Sequence, residues 1–334
     1  MTKSASITAR FRQGIKAVAQ ISATVTLATG LLATPAHAQS KTDNLKELRI
    51  GYQKYGTLVI LKARGTLDKR LAEKGIAVKW TEFPFGPPLL EAINVGSIDV
   101  GTVGESPPVF AQAAGADLVY VGNEPPAPGA EALLVPKDSP VRSVAELKGK
   151  KIAVAKGSNA NYLLVRLLEN AGLKYSDVEV VYLAPADARA AFESGRVAAW
   201  SIWDPFLAAA EKQLSARVLA DGKGAVANHQ FYLAARSFAE KHPEVVHILL
   251  EELDKIDQWG KQNPQEVAKF LAPQIGIEQS IVEVAALRYS YGVKPVTAEV
   301  LAAQQKIADK FYELKLVPKQ VRVADAAWNG GKKN

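Results

Sequence analysis

The chain has 334 residues, 48% of them hydrophobic and 22% charged, an ordinary globular composition with enough chain for a large core or two domains. It has no Cys, which excludes disulfides, a thiol nucleophile, Cys-ligated metal and a lipid anchor on Cys. The 41 Lys and Arg exceed the 34 Asp and Glu, but four of those cations lie in residues 1–38; the remaining 37 against 34 are interspersed and form no nucleic-acid-binding stripe.

Residues 1–38 carry Lys3, Arg10, Arg12 and Lys16 and no acid. An apolar run at 21–33 and the small residues Ala36-His37-Ala38 follow. This is the pattern of a secretory signal peptide, with cleavage expected after Ala38. The run is too short to span a bilayer comfortably. A soluble exported protein starting near Gln39, in a periplasm-like compartment, is therefore expected.

Beyond it, short β-branched runs alternate with helical patterns, the signature of βαβ units and a mostly parallel sheet. Strands are predicted at 48–52, 77–81, 98–101 and 118–122, with helices at 58–74, 87–94 and 106–114 between them. A proline-rich loop, 124–129, comes next. The pattern restarts with strands at 132–135, 152–155, 178–182 and 197–202 and helices at 159–171 and 187–192. After about Tyr232 the chain reads as helices, among them 243–260, 264–271 and 298–313. The expected organisation is one α/β lobe from 39–135 completed by 231–328, a second lobe at 136–230, and a disordered tail at 329–334. Such lobes, joined by two crossing strands, leave a cleft where small ligands bind.

Two stretches echo each other. EAINVGSIDVGTVGESP (91–107) and AAFESGRVAAWSIWDP (190–205) each read as helix, Gly turn, short strand and a polar residue before Pro. Ser106 is placed as an N-cap with Pro107 at the first helical position, and Asp204 with Pro205 repeats this. Each tip aims a helix N-terminus, with its unpaired N–H groups and partial positive charge, at the same space. That suits an oxyanion without a cationic side chain. Gly104 and Glu105 belong to the first tip. Ser158 and Asn159, after Lys156-Gly157, and Gln53, past the first strand, are further candidates at strand C-terminal ends. Trp200 and Trp203 are three apart, so at most one should face the cleft unless the strand ends between them. Each reads as core or as an apolar wall, and Tyr232 is equally ambiguous. A carboxylate repels an anion, so Asp204 is read as a cap; Glu105 is a cap or a partner for a ligand's positive or hydroxyl end.

His229, His242 and His247 have no ligand-like neighbours in sequence, so they read as structural, and no metal or cofactor is expected. No Gly-x-Ser-x-Gly elbow, His-Glu-x-x-His, P-loop or Ser/His/Asp set stands out, which argues against an enzyme.

The stretches LRIGYQKYG, EFPFGPPLLEAINVGSIDVGTVGESPPVFAQAAGADLVYVG, LAPADARAAFESGRVAAWSIWDPF, FYLAAR and YELKLVPKQV resemble the periplasmic aliphatic sulfonate-binding proteins of ABC importers, in the wider group with taurine- and nitrate-binding proteins. The resemblance covers nearly the whole chain after residue 38. One departure is Ala198-Ala199, where that family usually has an acid in a GxVDAW pattern; the acid is read as structural. The resemblance implies an α/β, two-lobe type II periplasmic-binding-protein fold. It also implies a monomeric receptor that closes on an organosulfonate and delivers it to the membrane permease of an ABC transporter. Carried over, the ligand contacts are Gln53, Gly104, Glu105, Ser106, Ser158, Asn159, Trp203 and Asp204, with Trp200 and Tyr232 as further candidates. Taurine, a sulfate ester, nitrate or a thiamine-precursor-like pyrimidine are alternative ligands. An enzyme on the same fold is the remaining alternative.

Overall fold

The computed structural model describes residues 45–331. The expected signal segment, its cleavage point and the last three residues of the tail lie outside them.

The first α/β unit runs β1 (Glu47–Tyr52), α1 (Thr57–Arg64), α2 (Thr66–Ala72), β2 (Ala77–Glu82), α3 (Gly86–Asn94), β3 (Val100–Gly104), α4 (Pro107–Ala114) and β4 (Leu118–Asn123). The second runs β5 (Glu131–Val135), β6 (Lys151–Val154), α5 (Asn159–Asn170), β7 (Glu179–Tyr182), α6 (Pro185–Glu193), β8 (Ala199–Trp203), α7 (Phe206–Gln213) and β9 (Arg217–Asp221). The chain returns through β10 (Gln230–Ala235). It ends in α8 (Arg236–Lys241), α9 (Pro243–Gln262), α10 (Pro264–Ile275), α11 (Gln279–Arg288) and α12 (Ala298–Glu313).

Two five-stranded sheets result, ordered β2-β1-β3-β10-β4 and β7-β6-β8-β5-β9. In each, four strands run in one direction and one runs against them, and that strand is the one exchanged between lobes. β10 runs antiparallel to β3 and β4, and β5 runs antiparallel to β8 and β9. β5 was expected to close the first lobe at residue 135. Its pairing with β8 places it in the second sheet, so the crossing segments are 124–130 and 222–229.

The internal echo is structural. β3 and β8 hold the same position in their sheets, and Asp99 N–H and Ala198 N–H make matching bonds to Arg49 O and Lys151 O, each 2.8 Å. The acid missing at Ala198 is explained by its counterpart. The Asp99 carboxylate accepts the Arg49 backbone N–H at 2.8 Å and its guanidinium at 2.5 Å, clamping the start of β1. The second lobe instead pairs Lys151 with Glu179 at 3.4 Å on the surface.

Each sheet is covered on both faces. Leu58, Leu61, Val246, Leu253 and Leu271 pack on one face of the first sheet, and Leu89, Val109, Ile307 and Phe311 on the other, so the helical C-terminal part folds back onto the first lobe. Leu163, Leu164 and Leu168 of α5 cover one face of the second sheet; Phe192, Trp200 and Leu207 lie on the other.

Three local expectations change. The helix expected at 58–74 breaks at Gly65, whose φ of 65° and N–H bonds to Leu61 O and Lys62 O close α1 and start α2. β3 extends to Gly104, bringing its tip further out than the strand expected at 98–101. In the tail, residues 329–331 lie near α9, with His247 Nε2 3.2 Å from Gly330 O.

Candidate ligand-binding cleft

A narrow cavity lies between the lobes at the C-terminal ends of β1, β3 and β8. Gln53, Tyr55, Gly86, Gly104 and Pro107 line it from the first lobe, Ser158, Asn159 and Trp203 from the second, Asn228 from a crossing segment and Gln230 from the start of β10. All ten residues are uncharged.

The donors are held by their own local structure. Gln53 Nε2 donates to Thr102 O at 3.0 Å, tying the end of β1 to β3. Ser158 caps α5: its Oγ accepts from Asn161 N–H at 3.3 Å and donates to Ala155 O at 2.7 Å. Asn159 reaches across the cleft. Its Oδ1 accepts the Ser106 N–H at 3.1 Å and its Nδ2 donates to Asn228 Oδ1 at 2.5 Å. Gly104 permits this approach, because a Cβ there would lie 2.1 Å from Asn159 Oδ1. Three helices, α3, α4 and α5, start at the cavity wall. Prolines occupy the first turns of α3 and α4, so their ends give positive dipole with few N–H groups. α5 has no Pro in its first turn.

Of the residues singled out from sequence, Gln53, Gly104, Ser158, Asn159 and Trp203 meet at this cavity. The other five lie outside its lining. Ser106 gives its backbone N–H to Asn159, but its hydroxyl is buried without a partner and its backbone is helical, so its side chain makes no cap. Glu105 is turned away: its Oε2 accepts the His229 N–H at 3.0 Å, and burial pushes its carboxyl up to about 7. Asp204 lies behind Trp203. The N-cap of α7 is Pro205 and not Asp204 as expected; from one residue earlier Asp204 accepts the Ala208 N–H at 3.0 Å and faces Arg288 at 3.4 Å. Burial raises its carboxyl to about 7 despite that guanidinium. Trp200 points into the core, 5.8 Å from the Phe192 ring, as strand alternation against Trp203 requires. Tyr232 is buried with its hydroxyl donating to Glu124 Oε1 at 2.6 Å.

Sequence reading missed Tyr55, Gly86, Pro107, Asn228 and Gln230. Gly86 carried a signal: Gly86-Pro87-Pro88 repeats the Ser106-Pro107-Pro108 arrangement at a helix start. Asn228 ends the return crossing and Gln230 starts β10, a placement that only the antiparallel pairing of β10 reveals. Beneath the crossing lies a buried polar cluster. Thr57 Oγ1 donates to Asp257 Oδ1 at 2.5 Å and lies 3.4 Å from Glu124 Oε1. Burial raises both carboxyls, and the charge of Asp257 adds to the rise at Glu124. Among the described residues no cluster of His, Asp and Glu could hold a metal.

Two covered sheets, an exchanged antiparallel strand in each and a neutral donor-lined cleft between them define a two-lobe, type II solute-binding fold. The chain belongs to the NMT1/THI5 like family, whose model matches residues 71–267. An aliphatic sulfonates-binding protein of Escherichia coli (strain K12) is 46% identical over 301 residues, 90% of this chain and 94% of its own. The solved structure of the alkanesulfonate-binding protein SsuA from Xanthomonas axonopodis pv. citri, bound to MOPS, superposes with a TM-score of 0.81 at 45% identity, covering 85% of this chain and 98% of that one. The taurine-binding periplasmic protein of Escherichia coli (strain K12) is more distant, 30% identical over 210 residues, 59% of this chain and 64% of its own. No helix among the described residues is long and apolar enough to cross a membrane.

Proposed function

We propose that the chain is a periplasmic receptor that captures organosulfonates in the interlobe cleft and, as a monomer, hands them to an ABC permease. The observation that carries this reading is the lining itself: ten uncharged residues that include the amides of Gln53, Asn159, Asn228 and Gln230, the Ser158 hydroxyl at the start of α5, and the Tyr55 and Trp203 rings. A sulfonate is a singly charged group with three acceptor oxygens on an organic tail. Helix N-termini and neutral donors hold such an anion, and the aromatic rings cover the tail. Relatives that bind aliphatic sulfonates share nearly the whole chain.

The lining also ranks the alternatives. Sulfate would place two charges among uncharged residues, at a larger desolvation cost. Nitrate has no tail for the rings. Taurine's ammonium would find no carboxylate on the lining, because Glu105 and Asp204 are turned to other partners. The test is native mass spectrometry of residues 39–334, stripped of ligand by unfolding and refolding, then offered an equimolar mixture of ethanesulfonate, an arylsulfonate, taurine, sulfate and nitrate. The expected adducts are the two tailed sulfonates. Retention of taurine, sulfate or nitrate in their place would overturn the assignment, and turnover of any of them would point to an enzyme.

A further inference from the structure

We propose that Asn228 is the positioning residue that couples the occupancy of the cleft to the hinge, an inference that rests on reading the cleft as a solute site. Asn228 is buried, lines the cavity, and sits in the return crossing between the two sheets. Its φ of 53° is in the left-handed region, which Asn tolerates better than most residues.

Its side chain joins three parts of the molecule. Oδ1 accepts from Asn159 Nδ2 of the second lobe at 2.5 Å, and Nδ2 donates to Ala127 O of the other crossing segment at 2.8 Å. Its backbone N–H and that of His229 serve the Glu105 carboxylate of the first lobe. Asn159 Oδ1 in turn accepts the N–H of Ser106, the next residue after Glu105. The bonds form a closed circuit: first-lobe tip, second-lobe helix start, hinge, and back to the first-lobe tip. Each amide has its donor and its acceptor used once, so the orientation of both is fixed by the network. Parting the lobes breaks the Ser106–Asn159 bond and loosens the Asn159–Asn228 bond, while Asn228 stays tied to the hinge through Ala127. A solute that engages Asn159 or Asn228 in the cavity therefore acts directly on the crossing segments.

The test uses two variants. Asn228→Gly keeps the left-handed backbone available and removes both side-chain bonds. Asn228→Asp keeps the acceptor towards Asn159 and replaces the donor towards Ala127. The sequence has no Cys, so a Cys pair placed at exposed Val95 in the first lobe and exposed Lys148 in the second carries two spin labels uniquely. The interlobe distance distribution is recorded without ligand and with saturating ethanesulfonate, alongside affinity and thermal unfolding. The coupling predicts that Asn228→Gly unfolds cooperatively, shifts the ligand-free distribution to longer distances and weakens ethanesulfonate binding by roughly tenfold or more, as loss of buried hydrogen bonds does. Asn228→Asp sets a carboxylate oxygen against Ala127 O and a charge on the cavity lining, so it should open the lobes too and weaken ethanesulfonate binding at least as much as Asn228→Gly. An Asn228→Gly distribution that matches that of the unsubstituted chain would overturn the proposal, whatever the affinities. If the unsubstituted chain binds no sulfonate while Asn228→Gly still opens the lobes, the solute reading falls and the hinge role of Asn228 stands.

Discussion

At the scale of single residues, the cleft separates two kinds of side chain that look alike in sequence. Trp200 and Trp203 stand three apart on β8, yet Trp203 lines the cavity and Trp200 is buried against Phe192. Their substitutions should therefore fail differently. Trp200→Ala removes a large buried ring and is expected to cost about 3–5 kcal/mol of stability, read from denaturant unfolding. Ser158→Ala removes a hydroxyl that caps α5 at the cavity wall. It is expected to cost about 1 kcal/mol of stability and to weaken sulfonate binding several-fold or more. Unfolding and titration of both variants check this; equal losses of stability would contradict the division. Gly104→Ala is the sharpest case, since its Cβ would meet Asn159 Oδ1 at 2.1 Å. It should hold the lobes apart and weaken binding while leaving each lobe's core unaltered, seen as a larger radius of gyration in solution scattering with an unchanged melting profile. A compact, tight-binding Gly104→Ala protein would refute this contact.

At the scale of elements, the lobes are held together beside the cleft by charged contacts on two sides. Arg288 of α11 reaches Asp204 at 3.4 Å and Glu211 of α7 at 2.7 Å, and Lys310 of α12 reaches Glu169 of α5 at 3.0 Å. Arg288→Ala leaves buried Asp204 without its cation, so the closed arrangement should weaken and ligand affinity should fall several-fold. Titration at low and high salt checks this, since the unsubstituted chain should lose affinity with salt more steeply than the variant. Much of this layer was legible in sequence. The alternation of strands and helices and the repeat of 91–107 in 190–205 depend on local pattern, which a sequence carries. The break at Gly65, the placement of β5 in the second sheet and the strand β10 were not. The first needs the left-handed turn to be seen, and the others depend on antiparallel pairing between residues far apart in the chain, such as Glu131 with Trp203 and Gln230 with Gly104. Glu105 shows the same limit: its neighbours in sequence suggest a ligand contact, but its partner, His229, lies 124 residues away.

At the scale of the whole molecule, several carboxyls are buried and rise above their usual range. Glu105 and Asp204 reach about 7. Glu131, with neither oxygen bonded, is pushed well up by burial and by Glu105, and Glu124 and Asp257 rise together beneath the crossing. Each binds its proton more tightly in the fold than in the unfolded chain. Their contribution is therefore complete below the usual carboxylate range near pH 4 and is lost as pH rises towards about 7 and beyond. Arg288 opposes this at Asp204, and exposed Glu146 and Glu299, held low by local hydrogen bonds, run the other way with little weight. The melting temperature should accordingly be higher at pH 5.5 than at pH 8; a flat or rising profile over that window would show that these carboxyls are solvated or paired in solution.

The central claim is that a cleft lined only by uncharged residues selects a singly charged, tailed oxyanion. Calorimetric titration of ligand-stripped residues 39–334 tests it most directly, with ethanesulfonate and sulfate as the two arms under one buffer. Saturable binding of one ethanesulfonate per chain, with no heat from sulfate at the same concentrations, is the predicted result. Sulfate binding as tightly as ethanesulfonate, or neither binding at all, would contradict it.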